Sequence, residues 1–315
     1  MNYKNKKPIA FILGPTASGK TELAISICDS IPVEIISVDS VMVYQDCDIG
    51  SAKPSKDILS KYPHHLVDCI QPNEIFSVAD FYKASLKLIE DIHSRNKLPL
   101  FVGGTMMYFR SLIKGLDVLP ERNEGYRAEL NEIKKNGDTN VLYKALQKQD
   151  PEYASTINKS DEKRIIRALE VQKTSGKPIS SLIGYQNKNH LSKQFSIHQY
   201  GIYDEDRTKI HQRIENRLRL IINDGLIDEV KNLLSKYKIP EEHPLRKSVN
   251  YKQAISFIKG EYENEEELFN RALYATRQLA KRQITWMRSW EDIELFDLKS
   301  CNKIKDSVKT LITSL

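Results

Sequence analysis

Short apolar runs separated by longer, half-polar stretches organise the first third of the chain. Ile9–Leu13, Val33–Val38, His65–Val67 and Leu98–Val102 read as strands, and Thr21–Asp29 and Val78–Ser94 between them carry helical patterns. Strand, helix, strand is the rhythm of a parallel sheet, because strands running the same way must be joined by a crossover. Between about Pro120 and His198 that rhythm is lost. The sequence becomes rich in Lys, Glu and Asn, with helical periodicity at Val141–Gln147 and Arg164–Lys173. Phe195–Tyr203 restores a strand-like run, and long amphipathic helices follow from Asp206 to Trp290. The expectation is an α/β core formed by residues 1–120 and 196–315, a parallel sheet flanked by helices, interrupted by an all-helical insertion over 121–195.

Composition narrows the class without naming it. Hydrophobic residues make up 40% and charged residues 29%, with 13 Gly and 12 Pro among 315 residues, which excludes collagen-like, low-complexity and mostly disordered chains. Forty-eight Lys and Arg against 42 Asp and Glu leave a net charge of +6, which permits a polyanionic partner without requiring one. Cys28, Cys47, Cys69 and Cys301 are too widely spaced for a disulfide framework or a zinc knuckle. The basic start, Met1 to Lys7, precedes the apolar Ile9–Leu13, but that run is shorter than the ~7–15 apolar residues of an export signal. No later run approaches the ~18 of a membrane span. A cytoplasmic protein is expected.

Gly14, Pro15, Thr16, Ala17, Ser18, Gly19, Lys20 and Thr21 fit G-x-x-x-x-G-K-[ST], directly after a predicted strand and directly before a predicted helix. Glycines let successive backbone N–H groups turn inward, the helix N-terminus adds partial positive charge, Lys20 bridges phosphate oxygens and the Thr21 hydroxyl can hold Mg²⁺. A di- or triphosphate site on a P-loop nucleoside-triphosphatase-like core is therefore expected. Hydrolysis of ATP, phosphoryl transfer and loss of pyrophosphate all remain open to it.

Two further features fall at the C-terminal ends of predicted strands, where ligands of such sheets bind. Asp39 ends the second strand; it suits a helix cap, a Mg²⁺ ligand or a general base equally. Gly103-Gly104 after the fourth strand allows a ligand to approach closely and leaves Thr105 at the same edge, as ligand contact or as cap of Met106–Ile113. In the helix beginning near Asp206, Ile210, Ile214, Leu218 and Ile221 form the apolar stripe. At ~100° per residue Arg217 projects about 20° from Ile210 and Arg213 about 60°. Guanidinium groups bordering a buried face need an internal carboxylate or a bound phosphate. Arg164 and Arg167 sit on one helix three residues apart, as phosphate clamps, RNA-backbone contacts or a solvated face. Arg271–Trp290, with its two tryptophans, is either RNA-facing or packed.

Jointly these residues resemble one family, the tRNA dimethylallyltransferases. The matching segments are Gly14–Thr21, Asp39-Ser40 with Tyr44, Asp48–Pro54, His64–Asp68, Ser77–Phe81, Gly103–Thr105, Lys163–Val171 with Ser175–Pro178, His211–Arg217 with Gly225-Leu226, and Ala280–Trp286. The resemblance implies transfer of a dimethylallyl group from dimethylallyl diphosphate to N6 of the adenosine immediately 3′ of a tRNA anticodon. The phosphate loop would then hold the donor's pyrophosphate with Mg²⁺ and nearby arginines, Arg213 and Arg217 among them, stabilising its departure. Asp39 would accept the N6 proton, Thr105 would position adenine or a phosphate oxygen, and the base would flip out of the anticodon loop to reach them. Contacts to the anticodon stem-loop are implied at Asp39, Ser40, Val41, Met42, Thr105, Arg127, Lys163, Arg164, Ile165, Ile166 and Arg167, with the insertion gripping phosphates and one tRNA bound per monomer.

The chain departs from the family pattern at Met42, where Gln is common, and at Asn250-Tyr251, where Gly-Tyr is usual. An adenylate isopentenyltransferase and a P-loop small-molecule kinase are the rival readings.

Overall fold

The structure is a computed structural model and describes residues 6–135, 139–184 and 190–315. In chain order its elements are β1 (Pro8–Leu13), α1 (Lys20–Cys28), β2 (Val33–Val38), α2 (Lys56–Lys61), β3 (His64–His65), α3 (Val78–Ser94), β4 (Leu98–Gly103) and α4 (Met106–Lys114). There follow α5 (Glu124–Lys135), α6 (Thr139–Gln149), α7 (Pro151–Thr156), α8 (Glu162–Ser175) and α9 (Leu191–Gln194). The chain closes with β5 (Ser196–Ile202), α10 (Arg207–Asn223), α11 (Leu226–Lys236), α12 (Tyr251–Ile258), α13 (Glu265–Arg288), β6 (Glu294–Phe296) and α14 (Cys301–Leu311).

Six strands form one parallel sheet in the order β3-β2-β4-β1-β5-β6. Alternation along each strand sends its side chains to two cores. Ile9, Phe11 and Leu13 of β1 join Ile36 and Val38 of β2 against Phe81, Ile89 and Ile92 of α3 and Phe109 and Leu112 of α4. Ala10 and Ile12 join Val33 and Ile35 on the opposite face, against Leu23 and Ile27 of α1 and Ile304 and Val308 of α14. Every residue of β1 is buried, the signature of a central parallel strand covered on both sides. The P-loop nucleoside-triphosphatase-like fold follows from this doubly covered sheet and its crossovers.

Two compact units divide the chain: Met1–Ile113 with Leu191–Leu315, and Lys114–His190. The second unit begins at residue 114 rather than 121 and ends at 190 rather than 195. Leu119 packs in the helical core around Leu142, Leu146, Ile165 and Leu169, whereas Leu191 is buried against the sheet, and these two side chains account for the shift. Within the second unit, Glu170 of α8 is fully buried and receives both Arg127 Nε (2.6 Å) and Arg167 Nη1 (2.5 Å), together with the Asn123 N–H (2.8 Å). Burial pushes this carboxyl upward, but the hydrogen bonds from Arg127, Arg167 and Asn123 outweigh it and hold the group below its ordinary value.

Strand β3 is two residues long and lies one residue earlier than its sequence pattern predicts. Leu66 and Asp68 take left-handed φ values of 62° and 53°, which turn the chain out of the sheet. Strand β6 was not foreseen; its three residues pair with Tyr200–Ile202 of β5 and carry too little pattern to register.

Candidate active site

The phosphate loop leaves β1 at the C-terminal edge of the sheet. Its conformation requires Gly19, which sits at φ 79° and opens α1, while Ala17 also occupies the left-handed region at φ 61°. Successive turns of this kind aim backbone N–H groups into a common concavity suited to anions. Lys20 Nζ donates to the Pro15 carbonyl (2.6 Å) and lies 3.2 Å from Ser18 Oγ. Burial, and after it the charge of Arg217, lower Lys20 from 10.5 to about 7, against smaller opposing effects of Asp39 and Glu22. Arg217 itself is held down by burial, with Glu22 and Asp39 offsetting in part. Among the described residues Arg217 makes no ion pair; its Nη2 donates to the Ala52 carbonyl at 3.2 Å. Two desolvated cations set side by side create the potential that a phosphate group, with its charge spread over several oxygens, relieves.

Across the cleft stands Asp39. Its Oδ1 accepts the N–H groups of Val41 (2.8 Å) and Met42 (3.1 Å), which closes a turn rather than capping a helix, because the next helix, α2, begins only at Lys56. Among the described residues Oδ2 makes no hydrogen bond, so turn closure and acceptor chemistry coexist in one carboxylate. Thr105 Oγ1 accepts the Ser40 N–H at 3.2 Å, while the Thr105 N–H donates to the Val38 carbonyl at 3.1 Å. A Cβ at Gly103 would overlap the backbone of Val38, which is why glycine ends β4 there.

Thr16, Lys20, Thr21, Asp39, Val41, Met42 and Arg217 line one cavity of about 180 Å³. Ser40 and Thr105 do not line it; they are joined to each other by their hydrogen bond beside the lining residues Asp39 and Gly104. Gly14 is tied back to the Gly103 carbonyl (3.3 Å), and Ala17, Ser18 and Gly19 line an adjoining groove with Arg213 and Arg217. Arg213 is placed less centrally than Arg217 and faces Asp204 at 3.8 Å. In the second unit, Lys163 and Arg164 are exposed, Arg164 pairing with Asp161, whereas Ile165 and Ile166 are buried in the helical core and offer no side-chain surface. Arg127 and Arg167 share Glu170, and Arg167 Nη2 also donates to the Pro120 carbonyl at 2.8 Å.

Three cavity residues, present in the sequence only within matching segments or as a departure from the pattern, were given no role at the site. His64 Nδ1 donates to the Tyr62 carbonyl (2.6 Å), leaving Nε2 for the cleft. Asn250 binds the Gly50 carbonyl (2.9 Å), and Gln283 bonds both the phosphate loop and the Gly103–Thr105 turn. For Gln283 a signal existed: an amide on the helix face otherwise formed by Leu268, Ala272, Leu273, Ala280 and Met287. No cluster of metal-ligating His, Cys, Asp and Glu exists among the described residues. None of their helices is long and apolar enough to cross a membrane.

A phosphate loop at the edge of a doubly covered parallel sheet, opposed by a carboxylate, defines a P-loop α/β enzyme. The model of one family, described as IPP transferase, matches residues 42–290. A tRNA dimethylallyltransferase of Acinetobacter baumannii is 42% identical over 314 residues, covering 98% of this chain and 99% of the relative. One from Neisseria meningitidis is 44% identical over 283 residues, covering 89% and 90%. Among solved structures, the full-length tRNA isopentenylpyrophosphate transferase of Bacillus halodurans superposes with a TM-score of 0.70 at 32% identity, covering 98% of this chain and 97% of that one. A eukaryotic dimethylallyltransferase acting on tRNA gives 0.77 at 26% identity, covering 96% and 78%. This chain belongs to the IPP transferase family, and it is a prenyl-transferring enzyme.

Proposed function

We propose that this enzyme transfers a dimethylallyl group from dimethylallyl diphosphate to N6 of adenosine 37 of tRNA, releasing pyrophosphate. The observation that carries the mechanism is the facing of Lys20 and Arg217 by Asp39 within one cleft. Adenine N6 forms a bond to C1 of the donor as the C1–O bond breaks, and the electron pair leaves on pyrophosphate. Lys20 and Arg217 stabilise that charge, aided by the loop N–H groups. The N6 proton passes to Asp39 Oδ2, whose partner oxygen is fixed by Val41 and Met42. Thr105 holds the Asp39-Ser40 backbone in register through the Ser40 N–H.

Mg²⁺ suits this cleft: the Thr21 hydroxyl beside Lys20 would supply a hard oxygen donor, and an ion that keeps waters and substrate phosphates needs few protein ligands. It would neutralise charge on the diphosphate. Both arms of the cleft come from one chain, which supports a monomer binding one anticodon stem-loop, and mature tRNA places that work in the cytoplasm. On the tRNA we assign contacts with the flipped base to Asp39, Ser40, Val41, Met42 and Thr105. Phosphate contacts go to Arg127, Lys163, Arg164 and Arg167, with Ile165 and Ile166 supporting the helix from within.

The test is incubation of purified protein with Mg²⁺, dimethylallyl diphosphate and unmodified tRNA, followed by nucleoside mass spectrometry, with AMP and ATP-plus-metabolite reactions alongside. Prenylated adenosine in the tRNA digest alone is the expected result. Product on AMP would reassign the acceptor, and ATP turnover without prenylation would restore the kinase reading.

A further inference from the structure

We infer that Gln283 is a positioning residue that sets the spacing between the donor and acceptor sides of the cleft; the inference rests on the prenyl transfer proposed above. Strands β1 and β4 are hydrogen-bonded neighbours, and the backbone contact continues past the end of β1 from the Gly14 N–H to the Gly103 carbonyl at 3.3 Å. Beyond it the phosphate loop and the Gly103–Thr105 turn have no further backbone bond to each other among the described residues. The Gln283 side chain enters there. Its Oε1 accepts the Thr16 N–H at 2.9 Å and its Nε2 donates to the Gly104 carbonyl at 2.9 Å. A primary amide thus replaces the next rung of the ladder, delivered from α13, 267 residues from Thr16 and 179 from Gly104.

The link has chemical consequence because of what each end carries. Thr16 belongs to the loop whose Lys20 faces the diphosphate. Gly104 precedes Thr105, whose hydroxyl holds the Ser40 N–H beside Asp39. Gln283 lies on the buried side of α13, and a buried amide is tolerated there because both of its ends are paired. A Cβ on Gly104 would come 2.5 Å from Gln283 Nε2, so the turn packs directly on the amide and cannot drift towards it. The Thr16 N–H, being spent on Gln283, is withdrawn from phosphate binding, which leaves the N–H groups from Ala17 onward for that task. In-line displacement at C1 demands that N6 and the leaving oxygen be aligned. A misplacement of ~1 Å costs on the order of 10²-fold in rate.

Gln283→Glu and Gln283→Leu test this. Glu keeps the acceptor for Thr16 but sets a carboxylate against the Gly104 carbonyl; Leu keeps bulk and loses both bonds. Wild-type product on tRNA is established first, and its absence would remove the proposed function and this inference together. With wild type active, both variants are expected to lose about 10²-fold in single-turnover rate at saturating donor and tRNA. Their pyrophosphate affinity by calorimetry should stay within about threefold and their melting temperatures should still show one folded protein. A variant rate within about threefold of wild type overturns the inference, as does a loss of pyrophosphate affinity equal to the loss of rate, which would make Gln283 a structural prop of the phosphate loop. Should the Leu variant fail to fold, the Glu variant, which differs by one atom, decides alone; if it too fails to fold, the residue is structural and the inference falls.

Discussion

Asp39 and Thr105, at the ends of two neighbouring strands, are coupled through a single peptide group: the Thr105 hydroxyl accepts the N–H of Ser40, the residue that follows Asp39, at 3.2 Å. The carboxylate is thereby held twice, by that bond and by its own acceptance of the Val41 and Met42 N–H groups. Asp39→Ala removes the proton acceptor and the turn-closing acceptor together. Turnover is expected to fall by about 10²–10⁴-fold, while donor affinity changes far less, because the phosphate cations are elsewhere. Equal losses in kcat and donor affinity would assign Asp39 to metal or structural work instead. Thr105→Val keeps shape and loses the bond to Ser40, and its smaller loss in kcat should leave pyrophosphate binding unchanged.

Lys20 offers a test by pH. Its ammonium is lowered to about 7 chiefly by burial, and an adjacent diphosphate favours the charged form. Binding therefore takes up a proton wherever free Lys20 is neutral. Affinity for pyrophosphate should fall up to about tenfold per pH unit above 7, until the value of Lys20 in the complex is reached. Calorimetry near about pH 8.5 in buffers of different ionisation enthalpy should read close to one more proton taken up by wild type than by Lys20→Met. Equal uptake by both proteins would sink the claim. For the free protein the sign reverses in stability: the folded state binds fewer protons than the unfolded between about 7 and 10.5, so the contribution of Lys20 to stability rises with pH across that window.

Much of this was readable from the chain because it depends on short-range pattern. The phosphate loop is contiguous, α3 runs over Val78–Ser94 and β2 over Val33–Val38 as their periodicities require, and Asp39 and Thr105 follow from strand ends. What was not readable is long-range and polar. Gln283 reaches residues early in the chain, and Glu229 accepts the N–H groups of Asp48, Ile49 and Gly50 from far along it, shaping the Asp48–Pro54 segment without any local signature. Arg127 and Arg167, expected as tRNA contacts, are held by Glu170, a buried carboxylate whose pairing with them no local pattern announces.

That carboxylate makes a stability prediction. Glu170→Gln removes the charge that Arg127 and Arg167 share, leaving two guanidinium groups bound to a neutral amide in the helical unit. Breaking a buried ion pair on one side typically costs ~3–5 kcal/mol, and the partners' partial exposure here, 22% and 28%, argues for the lower end. Urea unfolding followed by amide exchange in α5 and α8 should show the loss there, with pyrophosphate affinity unchanged since its cleft residues lie in the other unit. The pH sign follows from the lowered carboxyl: the stabilisation is present above the unfolded carboxylate value and lost as pH falls through the folded one. Wild-type protection in α5 and α8 that is insensitive to acid would contradict it.

Asn250 stands where the family pattern usually has glycine, and its backbone shows why: φ is 72°, a region that side chains disfavour. Asn is retained there by its own bonds, Nδ2 to the Gly50 carbonyl (2.9 Å) and backbone N–H to Gln253 Oε1 (3.0 Å). Asn250→Gly removes the strain and the first bond at once, and two opposing changes of ~1 kcal/mol each nearly cancel. Asn250→Ala keeps a Cβ at positive φ and still loses the bond. The alanine variant should therefore be less stable than the glycine variant by ~1 kcal/mol or more, the direction in which an N-cap already favours glycine over alanine, here reinforced by the positive φ. Chemical denaturation of the three proteins side by side measures it, and an alanine variant as stable as the glycine one would mean that the backbone at 250 relaxes freely and that the strain is not carried there.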